Sequence, residues 1–354
     1  MGLKILHSAD WHLDSPFAAF SESQRSLLKA EQKKLPGLIT DLCIRENCDM
    51  MLLSGDLFDG TPARATLELV KKALKESGVP VLISPGNHDF CGPDSPWTEE
   101  NWPENVYIFT GGMECVTISG LDCRIYGAGY RSMDCEPLLE DFRAEGEETY
   151  KLAVMHGDAQ QRNSPYNPIT TAQVRASGLN YLALGHIHKA GAFRAGETLC
   201  VWPGCPMGRG WDETGEKGVC IVTLGEDPQV QAVMLDTVHF YDMEVDIGLD
   251  PVEALETVLP GSESNDFYRI SLTGYGNVDL EALKAYFAYL PNLELRDRTE
   301  VCTDLWEAAG EDTLEGIYFQ MLRKTMADDP ENADAIRLAA EISRKILSGK
   351  EVSL

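Results

Sequence analysis

Five short segments of this chain hold a concentrated set of divalent-metal donors. They are Asp10-Trp11-His12, Gly55-Asp56-Leu57-Phe58-Asp59, Gly86-Asn87-His88-Asp89, His156-Gly157-Asp158 and Gly185-His186-Ile187-His188. Of the seven histidines in the chain, five fall inside these segments, so imidazole is concentrated in them. Carboxylate, carboxamide oxygen and imidazole nitrogen without thiolate suit Mn²⁺, Fe²⁺ or Zn²⁺ better than Ca²⁺ or a cysteine-ligated structural zinc. Two such ions about 3.5–4 Å apart can clamp a phosphoryl group between them and activate a water. Asp10 and His12 are two residues apart, as are His186 and His188, and in an extended chain that spacing turns both side chains to one face. Asp56 has two carboxylate oxygens with which to bridge two cations. Any one segment alone is equally a loop cap or a strand end; all five in this order point to a two-metal hydrolase.

Each segment follows a short apolar run. Leu3–Ala9, Met50–Ser54, Val79–Ser84, Lys151–Met155 and Tyr181–Leu184 read as buried strands ended by Gly, Asp or Asn. Ser23–Asn47 and Arg64–Ser77 are amphipathic and rich in helix formers, the second stopping at Gly78 before Pro80. Strands alternating with helices imply an α/β layered fold with parallel pairing and donors gathered beyond the carboxyl ends of the strands. Val106–Ile108, Glu114–Ile118, Arg124–Gly127, Thr198–Trp202 and Gly218–Leu224 read as strands without intervening helices, enough for a second sheet packed on the first. After residue 238 the order is strand, helix, strand, helix, strand over Tyr241–Ile247, Pro251–Leu259, Phe267–Thr273, Leu280–Tyr289 and Leu293–Arg298. Two helix-like segments follow between Thr313 and Leu347, broken at Asp328-Asp329-Pro330; they form either a surface hairpin or a docking site for a partner. The expected domains are a catalytic domain over residues 1–238, a small α/β cap over 239–302 and a helical segment over 303–354.

With 354 residues and a net charge of −27, the chain is acidic throughout. From Asp236 onward, 25 acidic residues face 10 basic ones, so the last third grips no phosphate by itself. No run of apolar residues is long enough for a membrane span. The N-terminus enters Leu3-Lys4-Ile5-Leu6 without a leader pattern, and the ten cysteines contain no CxxC pair, so reduced thiols in a cytoplasmic protein are expected. His7 has the opposite strand parity to Asp10 and is expected to point away from the metals, and His239 reads as a linker residue. Trp97, Trp102 and Trp211 either stack on a base or pack locally.

In this order, DxH, GDxxD, GNHD, an isolated His-Gly and GHxH resemble the calcineurin-like metallophosphoesterase superfamily. Ile5-Leu6-His7-Ser8-Ala9-Asp10-Trp11-His12-Leu13, Tyr181-Leu182-Ala183-Leu184-Gly185-His186-Ile187-His188-Lys189 and Pro203-Gly204-Cys205-Pro206-Met207-Gly208-Arg209, followed by Glu216-Lys217-Gly218, resemble one branch of it: the SbcD/Mre11-type DNA repair exonucleases with their YhaO-like bacterial relatives. The resemblance spans roughly residues 1–235. It implies a two-sheet metallophosphoesterase sandwich flanked by helices, with a C-terminal cap and terminal helices. Carried over by motif, one metal is held by Asp10, His12, Asp56 and His188, and the other by Asp56, Asn87, His156 and His186. His88 then faces the substrate in a general-acid role, protonating the leaving alkoxide or stabilising the phosphorane-like state. Asp59 and Asp89 accept imidazole N–H bonds that fix tautomers, unless they are loop caps. Arg64 and Arg209 contact substrate phosphate or are ordinary surface or salt-bridged arginines.

The function the resemblance implies is metal-dependent phosphodiester hydrolysis of DNA by a metal-bound hydroxide, manganese being the first choice of metal and iron or zinc the others. It also implies an SMC-like coiled-coil ATPase partner on the C-terminal helices, with self-association left open. The acidic surface favours an alternative, a phosphatase or phosphodiesterase for nucleotides or another small phosphoester. A third class, a non-catalytic subunit on the same scaffold, is opposed by the complete ligand set and by His88.

Overall fold

In a computed structural model the chain is described over residues 2–93, 95–300 and 306–347. It divides into two compact units, one formed by Met1–Asp242 with Asn265–Tyr268 and the other by Met243–Ser264 with Arg269–Leu354.

The first unit is a sandwich of two six-stranded sheets. In chain order its strands are β1 (Leu3–Ser8), β2 (Met50–Leu53), β3 (Val81–Ile83), β4 (Val106–Ile108), β5 (Glu114–Ile118), β6 (Cys123–Gly127), β7 (Tyr150–His156), β8 (Tyr181–Gly185), β9 (Gly191–Ala195), β10 (Thr198–Trp202), β11 (Gly218–Leu224) and β12 (Gln229–Met234). One sheet runs β12-β11-β1-β2-β3-β4 and the other β5-β6-β7-β8-β10-β9. β1 to β4 are mutually parallel, as are β6, β7, β8 and β10; β11 runs antiparallel to β1 and β9 antiparallel to β10.

Alternation along the strands makes the sandwich. On β1, Leu3 and Ile5 join Ile125, Leu152, Val154, Tyr181 and Val201 of the opposite sheet in one buried cluster, while Leu6 joins Leu28, Leu35, Ile39, Val70 and Leu74 from the helices outside. Each fully buried Leu or Ile stabilises the fold by about 1.5–3 kcal/mol, so this double burial explains why the central strands are apolar on both faces. The outer face of the second sheet, with Ala153, Met155, Leu182 and Leu184, packs on Val174 and Leu179.

The helix-rich stretch over 23–47 is two helices, α1 (Glu22–Gln32) and α2 (Leu35–Arg45). Ser21 and Gln24 close a reciprocal capping box on α1, and Pro36, which has no N–H to give to a preceding turn, forces a new start at α2. α3 (Arg64–Glu76) follows as expected, then the short α4 (Pro96–Glu99). The stretch read as strands without helices contains α5 (Thr171–Ser177), capped by Thr170 and ended by Gly178 at φ 72°. β9 and β12 were not anticipated; both are edge strands, largely exposed, and need no continuous apolar stripe.

Further along the chain, β13 (Phe240–Asp246), β14 (Phe267–Thr273) and β15 (Leu293–Asp297) form a three-stranded sheet in that order. α6 (Pro251–Glu256) and α7 (Leu280–Tyr286) lie between them, each capped by an aspartate, Asp250 and Asp279. The expected boundary at 302/303 lies outside the described residues. α8 (Leu314–Asp328) and α9 (Ala333–Leu347) then pack through Phe319 and Ala340, leaving Leu314, Ile317, Met321, Leu338 and Ile346 exposed. Among the described residues no helix is long and apolar enough to cross a membrane.

Candidate metal centre

All five segments sit at the carboxyl ends of parallel strands. Asp10 and His12 follow β1, Asp56 and Asp59 follow β2, Asn87 to Asp89 follow β3, His156 ends β7, and His186 and His188 follow β8. The chain does not reach the site in extended conformation, as the two-residue spacing suggested. Asp10, His12, Asp56 and His186 have φ of 56°, 46°, 52° and 89°, in the left-handed region that costs a non-glycine residue on the order of 1–3 kcal/mol. Hydrogen bonds between the loops hold them there: Asp10 N–H donates to the Gly55 carbonyl at 3.0 Å and His12 N–H to that of Asp56 at 2.9 Å.

Two glycines of the motifs are demanded by close approach. A Cβ on Gly86 would lie 2.3 Å from Asp56 Oδ1, and one on Gly185 would lie 2.0 Å from the Ser54 carbonyl oxygen and 2.8 Å from His156 Nδ1.

The side chains converge. Asp56 Oδ2 stands 3.7 Å from His12 Nε2 and 3.3 Å from His156 Nε2, between two groups of donors. On one side, His12 Nε2 and His188 Nε2 are 3.2 Å apart, with Asp10 Oδ1 3.9 Å from His188 Nε2. On the other, Asn87 Oδ1 is 3.0 Å from His156 Nε2 and 3.3 Å from His186 Nδ1. Donor atoms of Asp10, His12 and His188 lie within 4.8 Å of one another, and so do those of His12, Asp56 and His88 and those of Asp10, Asp56 and His156. Among the described residues, Asp10 Oδ2 and His12 Nδ1 are buried without a hydrogen-bond partner. Buried polar atoms of this kind are costly unless something satisfies them. Nitrogen and oxygen donors packed face to face, with acceptors left over, fit divalent cations.

The electrostatics follow from burying acids and bases together. Burial raises the Asp10 carboxyl to about 6, against the pull of His156 and His188. Burial also pushes Asp56 upward, but His156, His12 and His88 outweigh it and hold the carboxylate well below its usual range. His156 goes the other way: burial opposes its charge, yet Asp56 and Asp10 raise it to about 9. Burial lowers His12 to about 3 and, with His156 beside it, lowers His186 to about 4.

His88 differs from the other four histidines because its side chain is 40% exposed at the rim. Its Nδ1 lies 3.0 Å from Asp59 Oδ1, its ring meets the His12 ring edge-on at 4.7 Å, and the Asp59 bond raises its pKa. Asp59 thus partners the His88 imidazole. Asp89 does not: its carboxylate accepts backbone N–H groups from Gly86, Asp56, Leu57 and Phe58 at 2.7–3.3 Å, tying the β2 and β3 loops together, and bonds no imidazole among the described residues. Burial and the nearby Asp56 raise it to about 7.

His7 is wholly buried, bonded to Ser54 Oγ and Tyr181 Oη at 2.8 Å each, away from the donor cluster. His239 pairs with Asp266 at 3.5 Å. Arg64 is an exposed cation bonded to Glu68 and Glu100. Trp97 and Trp102 stack on each other beside Phe58, and Trp211 packs on Phe240. Arg209 is paired with Glu213, a residue the sequence motifs do not mark. Glu213 Oε1 lies 2.6 Å from His188 Nδ1. Burial pushes the Glu213 carboxyl up, but His188 and Arg209 outweigh that and keep it well below its usual range. The available signal was a glutamate four residues after Arg209 in a glycine-broken loop, which is too common to read.

Residues 3–190 match the calcineurin-like phosphoesterase family, and the chain belongs to it. It is 33% identical over 237 residues to the metallophosphoesterase YhaO of Bacillus subtilis, covering 62% of this chain and 57% of that protein. It is 27% identical to the SbcD component of the nuclease SbcCD of the same organism, over 66% of this chain and 70% of that protein. It is 24% identical to the DNA double-strand break repair protein Mre11 of Aeropyrum pernix, over 69% and 64%. The chain thus spans little more than half the length of YhaO.

Proposed function

We propose that this phosphoesterase is a two-metal phosphodiesterase that hydrolyses DNA. The observation that carries the two-metal reading is Asp56, whose carboxylate stands between two groups of nitrogen and oxygen donors drawn from both sheets. In this reading Asp10, His12, Asp56 and His188 hold one cation, and Asp56, Asn87, His156 and His186 hold the other. When bound, the two cations neutralise the phosphoryl oxygens and acidify a water, manganese being our first choice. His88, at the rim, donates a proton from its imidazolium to the leaving alkoxide oxygen, and Asp59 orients its ring through Nδ1. Asp89 holds the two loops that carry Asp56 and His88.

DNA as substrate rests on the similarity to SbcD and Mre11. The charge of −27 repels a polyanion, so we assign part of the DNA-binding surface to a partner, an SMC-like coiled-coil ATPase seated on α8 and α9, in the cytoplasm. The same charge favours the second reading, a phosphatase or phosphodiesterase for nucleotides or other small phosphoesters. Hydrolysis of single- and double-stranded DNA ends in Mn²⁺ is compared with that of bis-p-nitrophenyl phosphate and nucleotides, His88→Ala serving as the control. Cleavage of DNA that is lost in the control supports the first reading. Turnover of small phosphoesters with no DNA cleavage, even with the ATPase present, selects the second, and no turnover of either rejects both.

A further inference from the structure

The Glu213 carboxylate is 5% exposed, and among the described residues its partners are His188 and Arg209. Its Oε2 accepts the Arg209 main-chain N–H at 2.8 Å and the Arg209 Nε–H at 3.3 Å, while its Oε1 accepts Arg209 Nη2–H at 2.8 Å. Those three bonds would suffice to pin the loop after β10. The fourth, to His188 Nδ1 at 2.6 Å, is the shortest and has nothing to do with the loop's own closure.

Its consequence is chemical. An imidazole that donates from Nδ1 presents the lone pair of Nε2, and His188 Nε2 is the atom aimed at His12 Nε2 and Asp10. His156 is oriented in the same sense on the other side of Asp56, with its Nδ1 on the Ser54 carbonyl at 2.8 Å and its Nε2 facing Asn87. One histidine therefore leans on a neutral carbonyl and the other on a carboxylate. A carboxylate behind the ring makes Nε2 a more basic donor and holds the ring plane, and the three bonds from Arg209 fix that carboxylate in place.

We propose that Glu213 is a positioning residue for the metal centre: through His188 it sets the affinity of the cation held with Asp10 and His12, and it leaves the other cation to Asn87, His156 and His186. This rests on His188 being a ligand. The test is a calorimetric titration of the full-length, EDTA-stripped chain with Mn²⁺, with folding checked by circular dichroism. Wild type takes up two ions. Glu213→Ala weakens one site by about 10–100-fold and leaves the other within about twofold. Glu213→Gln, whose amide oxygen still accepts the Nδ1–H, loses less, and selectively. It carries the test if the alanine variant does not fold. Equal weakening of both sites, or of neither, overturns the inference while leaving the two-metal reading intact. A wild-type chain that binds no Mn²⁺ overturns both.

Discussion

Among the histidines of the centre, His12 and His156 are sealed in the interior, whereas His88 stands at the rim with Asp59 behind it. A buried imidazole can ligate, but only an accessible one can hand a proton to a departing oxygen. The expected result for His88→Ala is a fall in kcat on DNA of about 10²–10⁴-fold. The fall should be much smaller on bis-p-nitrophenyl phosphate, whose phenolate leaves without help. Equal losses on the two substrates would remove the general-acid role. Metal content, read by elemental analysis, stays at the wild-type value. At this scale the sequence was most legible, because residue types and their scarcity name the donors. Asp89 and Glu213 were not legible: a carboxylate that caps a loop and one that orients an imidazole look alike until their partners are in place.

At the scale of elements, the site depends on loops that cross within van der Waals distance at strand ends. Gly185 ends β8 against the Ser54 carbonyl oxygen, 2.0 Å from where a Cβ would stand, and a backbone atom cannot swing aside. Gly185→Ala should therefore separate β8 from β2 and cut Mn²⁺ uptake by the folded protein, measured by calorimetry. Full uptake would show that the two strands have slack. β1 supplies a second prediction through His7, which is packed between the sheets and kept neutral by burial, its pKa lowered to about 3. Unfolding frees the ring to bind a proton below about pH 6.5, so the unfolded state takes up more protons between pH 6.5 and 3. Stability attributable to His7 is present above pH 6.5 and falls as the pH drops, by up to about 1.4 kcal/mol per pH unit. Denaturant titrations of His7→Gln across pH 4–7 should show a shallower acid limb than wild type; parallel limbs would mean that other groups dominate. Strand existence was readable from short apolar runs ended by Asp, Asn or Gly. The break at Pro36 between α1 and α2 was readable too, yet amphipathic periodicity masked it by continuing across the gap.

For the whole molecule, a donor cluster assembled from five strand ends should link metal binding to stability of the sandwich. Adding Mn²⁺ to EDTA-treated protein stabilises the folded state by about 2.7 kcal/mol for each site when free metal is a hundredfold above Kd. A differential scanning measurement should show a rise in Tm that EDTA reverses, and an unchanged Tm would argue against a native two-metal site. What the sequence determined alone was local: which residues can ligate, their order, and the apolar runs that become strands, since each of these is written within a few neighbouring positions. Only the tertiary structure brought His12 to His188, 176 residues away, and placed Asp56 between two donor groups. It also replaced the extended spacing with left-handed turns at Asp10, His12 and His186, held by bonds from the adjacent loops. Convergence of that kind depends on two sheets packing in one register, and no local pattern encodes the register of distant strands.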